Sequence, residues 1–286
     1  MDVLEQQALI NKATRDQWDL YQSHRDRINH LVIGVRKQFP DDSAPTLAVL
    51  GVGNGNDIDL KMLSQHFAKI HLFDCDPNAL DFLKQRQLTD WAAGDRVVIE
   101  PAVDLTSIAD TLNQLPTPLS EPFVAKILEE ATEPDALEGR SFDVVLSSCM
   151  LTQLLASVVE SFGDDSAYKN DMMLAVRNGH VKLISRLVKP NGVGVLVSDF
   201  VSSDTLPELK QTETKEDIRT LSQAAVDQKN FFTGANPFAI RSALEKVVVE
   251  IPSKPITIEP PWRWQIGADR YYLVTAIGFH KSSASK

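Results

Sequence analysis

The chain has 286 residues, 43% hydrophobic and 24% charged, the make-up of a globular domain with a sizeable core. With 29 basic and 39 acidic residues its net charge is −10, which argues against a nucleic-acid backbone as partner. Cys75 and Cys149 are too few for a disulfide framework, no leader pattern opens the sequence, and no apolar run approaches the ~20 residues of a membrane span, so a reduced cytoplasmic protein is expected.

From Trp18 the apolar positions Tyr21, Ile28, Leu31, Val32, Val35 and Phe39 recur at helical spacing, with Arg25, Asp26 and Arg27 between them. They predict an amphipathic helix over about residues 14–38. "FPDDSAP" closes it and "TLAVLGV" reads as a short apolar strand. "DLKMLSQHFAK" follows as a helix, "IHLFD" as a strand, "PNALDFLKQRQL" as a helix with Pro77 in its first turn, and "RVVIEPAV" as a strand. Residues 105–140 are rich in Pro and Glu and read as a surface insertion with one short helix. "FDVVLSS" is then a strand, "DMMLAVRNGHVKLISRLV" a helix ended by "KPNG", and "VGVLVSDF" a strand. Residues 202–236 are polar and partly helical, a second cover element. "RYYLVTAIGFHK" is a late strand, antiparallel at the sheet edge. Apolar strands alternating with helices predict an α/β fold, a mostly parallel sheet with helices on both faces. Residues 1–43 would form an N-terminal helical extension over the ligand end, and 44–286 the sheet domain.

The first strand runs into "GVGNGND". Ligands of open α/β sheets sit beyond the carboxyl ends of the strands, so bare backbone belongs at this junction. Gly51, Gly53 and Gly55 allow close approach, Asn54 and Asn56 tolerate unusual backbone angles, and Asn56 or Asp57 would cap the next helix. A dinucleotide fingerprint requires glycine where Asn56 stands, and Asp57 is a poor neighbour for pyrophosphate. A ligand that is cationic or zwitterionic there fits better.

These residues resemble the first motif of the class I S-adenosylmethionine-dependent methyltransferases, with Gly51 where an acid is commoner and Asp57 where a third glycine often stands. "IHLFDCDPNAL", "VVIEPAVDLTS", "SFDVVLSSCMLTQL" and "LVKPNGVGVLVSD" are similar to four further motifs in the family's order, over roughly residues 45–200. The resemblance implies a Rossmann-like seven-stranded sheet, S-adenosyl-L-methionine as cofactor and S-adenosyl-L-homocysteine as product. By the same resemblance the cofactor would lie on Gly51, Gly53, Asn54, Gly55 and Asp57. Asp74, with Asp76 as the alternative, would hold its ribose beside Cys75, Asp104 and Leu105 would face the adenine, and Ser147 and Ser148 the methionine part.

Direct displacement on a sulfonium needs orientation, which contributes ~7–11 kcal/mol in well-aligned systems, and no covalent intermediate. No triad is visible, and Cys149 has no histidine placed beside it in sequence. The six histidines form no H-x-x-x-H pairing, so no metal site is expected. Trp18, Tyr21, Thr152 and Asp199 are candidates for the acceptor site, with Trp262, Trp264, Tyr271 and Tyr272 near the late strands. Three functions follow in order: methyl transfer to a small molecule, cofactor binding without catalysis, and NAD-dependent oxidoreduction.

Overall fold

The computed structural model describes residues 2–89, 91–92, 94–100, 103–248 and 255–282. Among them, eight strands form one sheet: β1 (Thr46–Leu50), β2 (Lys69–Phe73), β3 (Val97–Glu100), β4 (Phe142–Ser148), β5 (Val188–Ser202), β6 (Thr257–Ile258), β7 (Trp262–Ile266) and β8 (Arg270–His280). Their order is β3-β2-β1-β4-β5-β8-β6, with β7 also on β8. The first five are parallel; β8 is antiparallel to β5 and to both β6 and β7. β6 pairs with residues 277–278 and β7 with 270–274, so the two lie in line along one outer position. Eight strands therefore fill the seven positions of a Rossmann-like sheet. β8 is not the edge expected for it, because β6 and β7 cover its outer side.

The strands are continuously apolar because both faces are covered. In β1, Ala48 and Leu50 enter one hydrophobic cluster while Leu47 and Val49 enter the other, the period-two alternation of a pleated strand. The helices are α1 (Val3–Thr14), α2 (Gln22–Arg36), α3 (Leu60–Leu63), α4 (Pro77–Gln87), α5 (Ala109–Asn113), α6 (Glu121–Thr132), α7 (Leu151–Phe162), α8 (Lys169–Leu187), α9 (Lys215–Asp227) and α10 (Pro237–Val247). None is long and apolar enough to cross a membrane among the described residues.

Several elements differ from the sequence reading. The helix expected over 14–38 is α2 alone, shortened to 22–36, and residues 15–21 form turns between it and α1. There the Arg25 guanidinium lies 3.6 Å over the Trp18 ring and donates to the Trp18 carbonyl, holding the chain in turns. α2 packs on β4, β5 and β7 and buries Ile28 and Val32 completely, so it belongs to the core. The helix expected after the glycine turn is a single turn, capped by Asp59 rather than by Asn56 or Asp57. The region 105–140 is no appendage: α6 packs on α8 and buries Val124, Ile127 and Ala131. "KPNG" already lies within β5, where a register shift against β4 and Asn191 at φ +64° absorb the bend. Pro101 and Ala102, the end of the expected third strand, lie outside the described residues.

The α6–α8 contact yields a stability prediction. A β-carbon on Gly179 would stand 1.9 Å from the Ala131 carbonyl oxygen. Alanine gains about 1 kcal/mol of helix propensity there, but forcing the two backbones apart costs more. Gly179→Ala is expected to lose about 2 kcal/mol net in urea unfolding. A raised midpoint would contradict the packing.

Candidate active site

Strand order reverses between β1, which leads outward to β2 and β3, and β4, which leads the other way to β5. The crevice at their carboxyl ends is where such sheets take ligands. The glycine turn lies there, with Gly51, Gly53 and Gly55 at φ +68°, +49° and +69°. A β-carbon would come within 2.8 Å of Met150 at Gly51, 2.8 Å of Asn11 Oδ1 at Gly53 and 2.6 Å of Leu83 at Gly55. The backbone angle favours glycine at all three, and the packing against Met150 and Leu83 adds to it at Gly51 and Gly55. Gly51 and Gly53 border a cavity, whereas Gly55 turns toward α4 and does not line it.

That cavity has a volume of about 120 Å³. Its floor is the glycine turn with Asp74 and Cys75; its sides are the 103–106 loop and residues 148–150; α1 roofs it. Asp74 Oδ2 accepts from the Gly53 amide at 2.7 Å and Oδ1 from the Asp76 amide at 2.9 Å. Burial raises its carboxyl, and those amides oppose the shift. Asp76 instead caps α4 through Asn78 and accepts from Asn11 Nδ2 at 3.0 Å. Burial pushes the Cys75 thiol up to about 12, with Asp74 adding to it. Asp104 lines the cavity beside Leu105, but its carboxylate is turned into its own loop, accepting from the Thr106 amide and hydroxyl and the Ala109 amide.

Two adjacent serines part company. Ser148 Oγ donates to Asp57 Oδ2 at 2.8 Å and lines the cavity. Ser147, one residue earlier in the pleat, points to the opposite face and hydrogen-bonds His180 Nε2 at 2.8 Å, so its expected place beside the cofactor is corrected. Of the acceptor candidates Tyr21 and Trp264 line the cavity. Trp18 is sandwiched by Arg25 and Arg86. Thr152 donates to Asp199 Oδ1 at 2.7 Å, and neither reaches the cavity wall.

His24 organises a cluster that sequence reasoning missed. The Trp262 indole donates to His24 Nδ1 at 3.0 Å, and an indole nitrogen can only donate. The imidazole is therefore neutral with its hydrogen on Nε2, facing Asp57 Oδ1 at 3.6 Å and Cys149 Sγ at 3.8 Å. Burial, with Arg25 adding, holds the His24 pKa down to about 3, so the His24–Asp57 contact is no ion pair at neutral pH. Burial pushes Asp57 up to about 6, with the Ser148 hydroxyl opposing and Asp199 adding. The Cys149 thiol is driven well above its ordinary range by burial and by Asp57 and Asp199, which rules out a ready nucleophile. Ligand atoms of His24, Asp57 and Cys149 lie within 4.8 Å of one another. A cation there would need the Nε2 lone pair, and moving that hydrogen to Nδ1 would set it against the Trp262 donor.

Within the expected extension over residues 1–43, the helix α1 itself was not read, although a signal was present: Asp2 and Glu5 form its reciprocal capping box. From α1, Asn11 and Thr14 accept from Asn54 Nδ2, leaving Asn54 Oδ1 buried without a partner. Trp264 Nε1 is a second such atom, on a residue lining the same cavity.

No protein-family model matches the chain, and no curated protein matches it. Solved structures to which it is similar include the N-methyltransferase NodS from Bradyrhizobium japonicum WM9 in complex with S-adenosyl-L-homocysteine. That similarity has 12% identity and a TM-score of 0.49, over 99% of this chain and 100% of that one. An O-methyltransferase family protein from Burkholderia thailandensis is similar at 16% identity over 98% and 60% of the two chains, with a TM-score of 0.47. Magnesium protoporphyrin IX methyltransferase (ChlM) from Synechocystis PCC 6803 is similar at 10% identity over 91% and 82%, with a TM-score of 0.46.

Proposed function

We propose that the chain binds S-adenosyl-L-methionine in this cavity and transfers its methyl group to a small-molecule acceptor. The observation that carries this reading is the charge of the wall. Asp57, Asp74 and Asp104 line the cavity and, among the described residues, no Lys, Arg or His does, so the pyrophosphate of a dinucleotide would sit among carboxylates. A ligand bearing sulfonium and ammonium charges suits the same wall. When bound, it supplies an electrophilic methyl whose bond pair stays on sulfur as the acceptor's lone pair forms the new bond.

The protein's own part is to hold and to dry the site. Asp74 uses one lone pair of each oxygen on a backbone amide, and the remaining lone pairs are free for two ribose hydroxyls. Gly51 and Gly53 let the turn approach the ligand. The unpartnered Asn54 Oδ1 is an acceptor for a ligand N–H or O–H. α1 excludes water from above.

Calorimetry is expected to give micromolar binding of S-adenosyl-L-homocysteine and none of NADH; the reverse result overturns the proposal. Asp74→Asn should weaken that binding by roughly tenfold to a hundredfold, the ~1.5–3 kcal/mol of a charge-assisted hydrogen bond. Asp76→Ala should instead lower stability by about 1 kcal/mol, as loss of an N-cap does, with affinity retained. Normal binding by Asp74→Asn alongside lost binding by Asp76→Ala would reassign the ribose.

A further inference from the structure

Part of the cavity wall is aromatic and acidic at once. Tyr21 and Trp264 meet edge to face at 5.0 Å between ring centroids, and Trp264 stacks on His24 at 4.3 Å and 12°. The far edge of that imidazole faces Asp57 at 3.6 Å. Tyr21, Trp264 and Asp57 thus form one patch, joined through a His24 ring that lies behind it.

Two features of the patch are unmet. Trp264 Nε1–H is buried with no acceptor, which is costly unless something brings an oxygen to it. Asp57 has Ser148 on Oδ2, while its Oδ1 meets only the His24 N–H, beyond hydrogen-bond length. The groups facing Asp57 are neutral His24 and Arg25 from α2, Tyr21 just before it, Ser148 and Cys149 at the end of β4, and Asp199 from β5. Arg25, the one cation among them, spends Nη1 on the Trp18 and Asn56 carbonyls. A largely buried carboxylate with no paired cation among the described residues, walled by aromatic faces, is a site for an ammonium.

We propose that this patch holds the methyl acceptor and that the acceptor is a protonated amine bearing a neutral oxygen, its nitrogen on the Asp57 carboxylate and its oxygen on the Trp264 indole N–H. The inference rests on the methyltransferase reading and adds the acceptor class to it. An amine must shed a proton to expose its lone pair. Asp57 is the group placed to take that proton. A carboxylate acceptor is disfavoured by the three lining aspartates, and a neutral phenol can donate to Asp57 but leaves its charge uncompensated.

Binding to protein saturated with S-adenosyl-L-homocysteine tests this without turnover. The probes are 2-amino-1-phenylethanol, 2-phenylethylamine, which lacks the hydroxyl, and phenylacetate. The amino alcohol is expected to bind best, its deoxy analogue about tenfold more weakly, and the acid not at all. Asp57→Asn should weaken both amines at least about tenfold when each protein is saturated with S-adenosyl-L-homocysteine, so that any change in affinity for that product is read separately. Trp264→Phe should abolish the difference between the two amines. Equal binding of the acid, no amine binding, or amine binding indifferent to Asp57→Asn each overturns the acceptor class. Failure of the wild-type protein to bind S-adenosyl-L-homocysteine defeats the earlier reading instead, so the two failures are told apart.

Discussion

A chain beginning at Asp16 is expected to fold and a chain beginning at Asp41 is not. The two N-terminal helices have opposite relations to the core. α1 leaves Leu4 and Leu9 exposed at 39% and 52%, and its one buried residue is Gln7, whose amide donates to Ser157 Oγ at 3.3 Å. It is held by polar links to α5, α7 and the start of α4, such as the Val3 amide on Asn113 and Asn11 on Asp76. Such a cover opens below the free energy of global unfolding. α2 buries Ile28 and Val32 completely in the cluster beneath β4 and β5, with Tyr21 beside them. Each buried side chain of that size contributes about 1.5–3 kcal/mol, so losing three approaches the whole net stability of about 5–15 kcal/mol. Unfolding of both truncated chains followed by circular dichroism checks this. A cooperative transition in the chain starting at Asp41 would place α2 outside the core. In the full chain, the α1 amides should gain hydrogen-exchange protection when S-adenosyl-L-homocysteine binds, while those of α2 stay protected throughout.

The same contrast explains what could be read from the residues alone. β1 and β4 were legible because a strand buried on both faces has no choice but a continuous apolar run. The glycine turn was legible because three alternating glycines have few other uses. α1 was not, since its Val3, Leu4 and Ile10 share the cavity side with Gln7, Asn11 and Thr14 while Leu9 is exposed, which breaks any apolar stripe; only its Asp2–Glu5 box marked it. α2 was legible as a helix, yet its stripe was assigned to the open end of the sheet. Periodicity says that a face is buried and not against what. Ser147 and Ser148 were separable in principle, since a pleat sends neighbours to opposite faces and Val144 and Leu146 share the face of Ser148. His24 and Trp262 were not, being 238 residues apart. No local pattern reports a tautomer set by a partner so distant.

Asp199→Asn is expected to stabilise the ligand-free protein by an amount that grows with pH. Burial raises the Asp199 pKa from an ordinary 3.8 to about 6, against the hydrogen bond from Thr152. Below about pH 4 the carboxyl is protonated in both the folded and the unfolded chain, and its charge costs nothing. Between about 4 and 6 the folded chain still holds a proton that the unfolded chain has released, so stability falls as pH rises. Above 6 the folded protein carries a buried charge, and a raised pKa of about two units corresponds to about 3 kcal/mol. Asparagine keeps the acceptor for Thr152 and removes that cost. The variant should therefore match the wild type near pH 4 and exceed it by about 3 kcal/mol at pH 7.5 in urea unfolding. Asp57, raised to about 6 as well and itself shifted by Asp199, should drop in pKa in the variant, because one negative neighbour is gone. A stability difference that is flat with pH, or that shrinks as pH rises, would show that Asp199 is ionised in the fold at no cost, with the Arg270 charge, which already opposes the shift, outweighing burial.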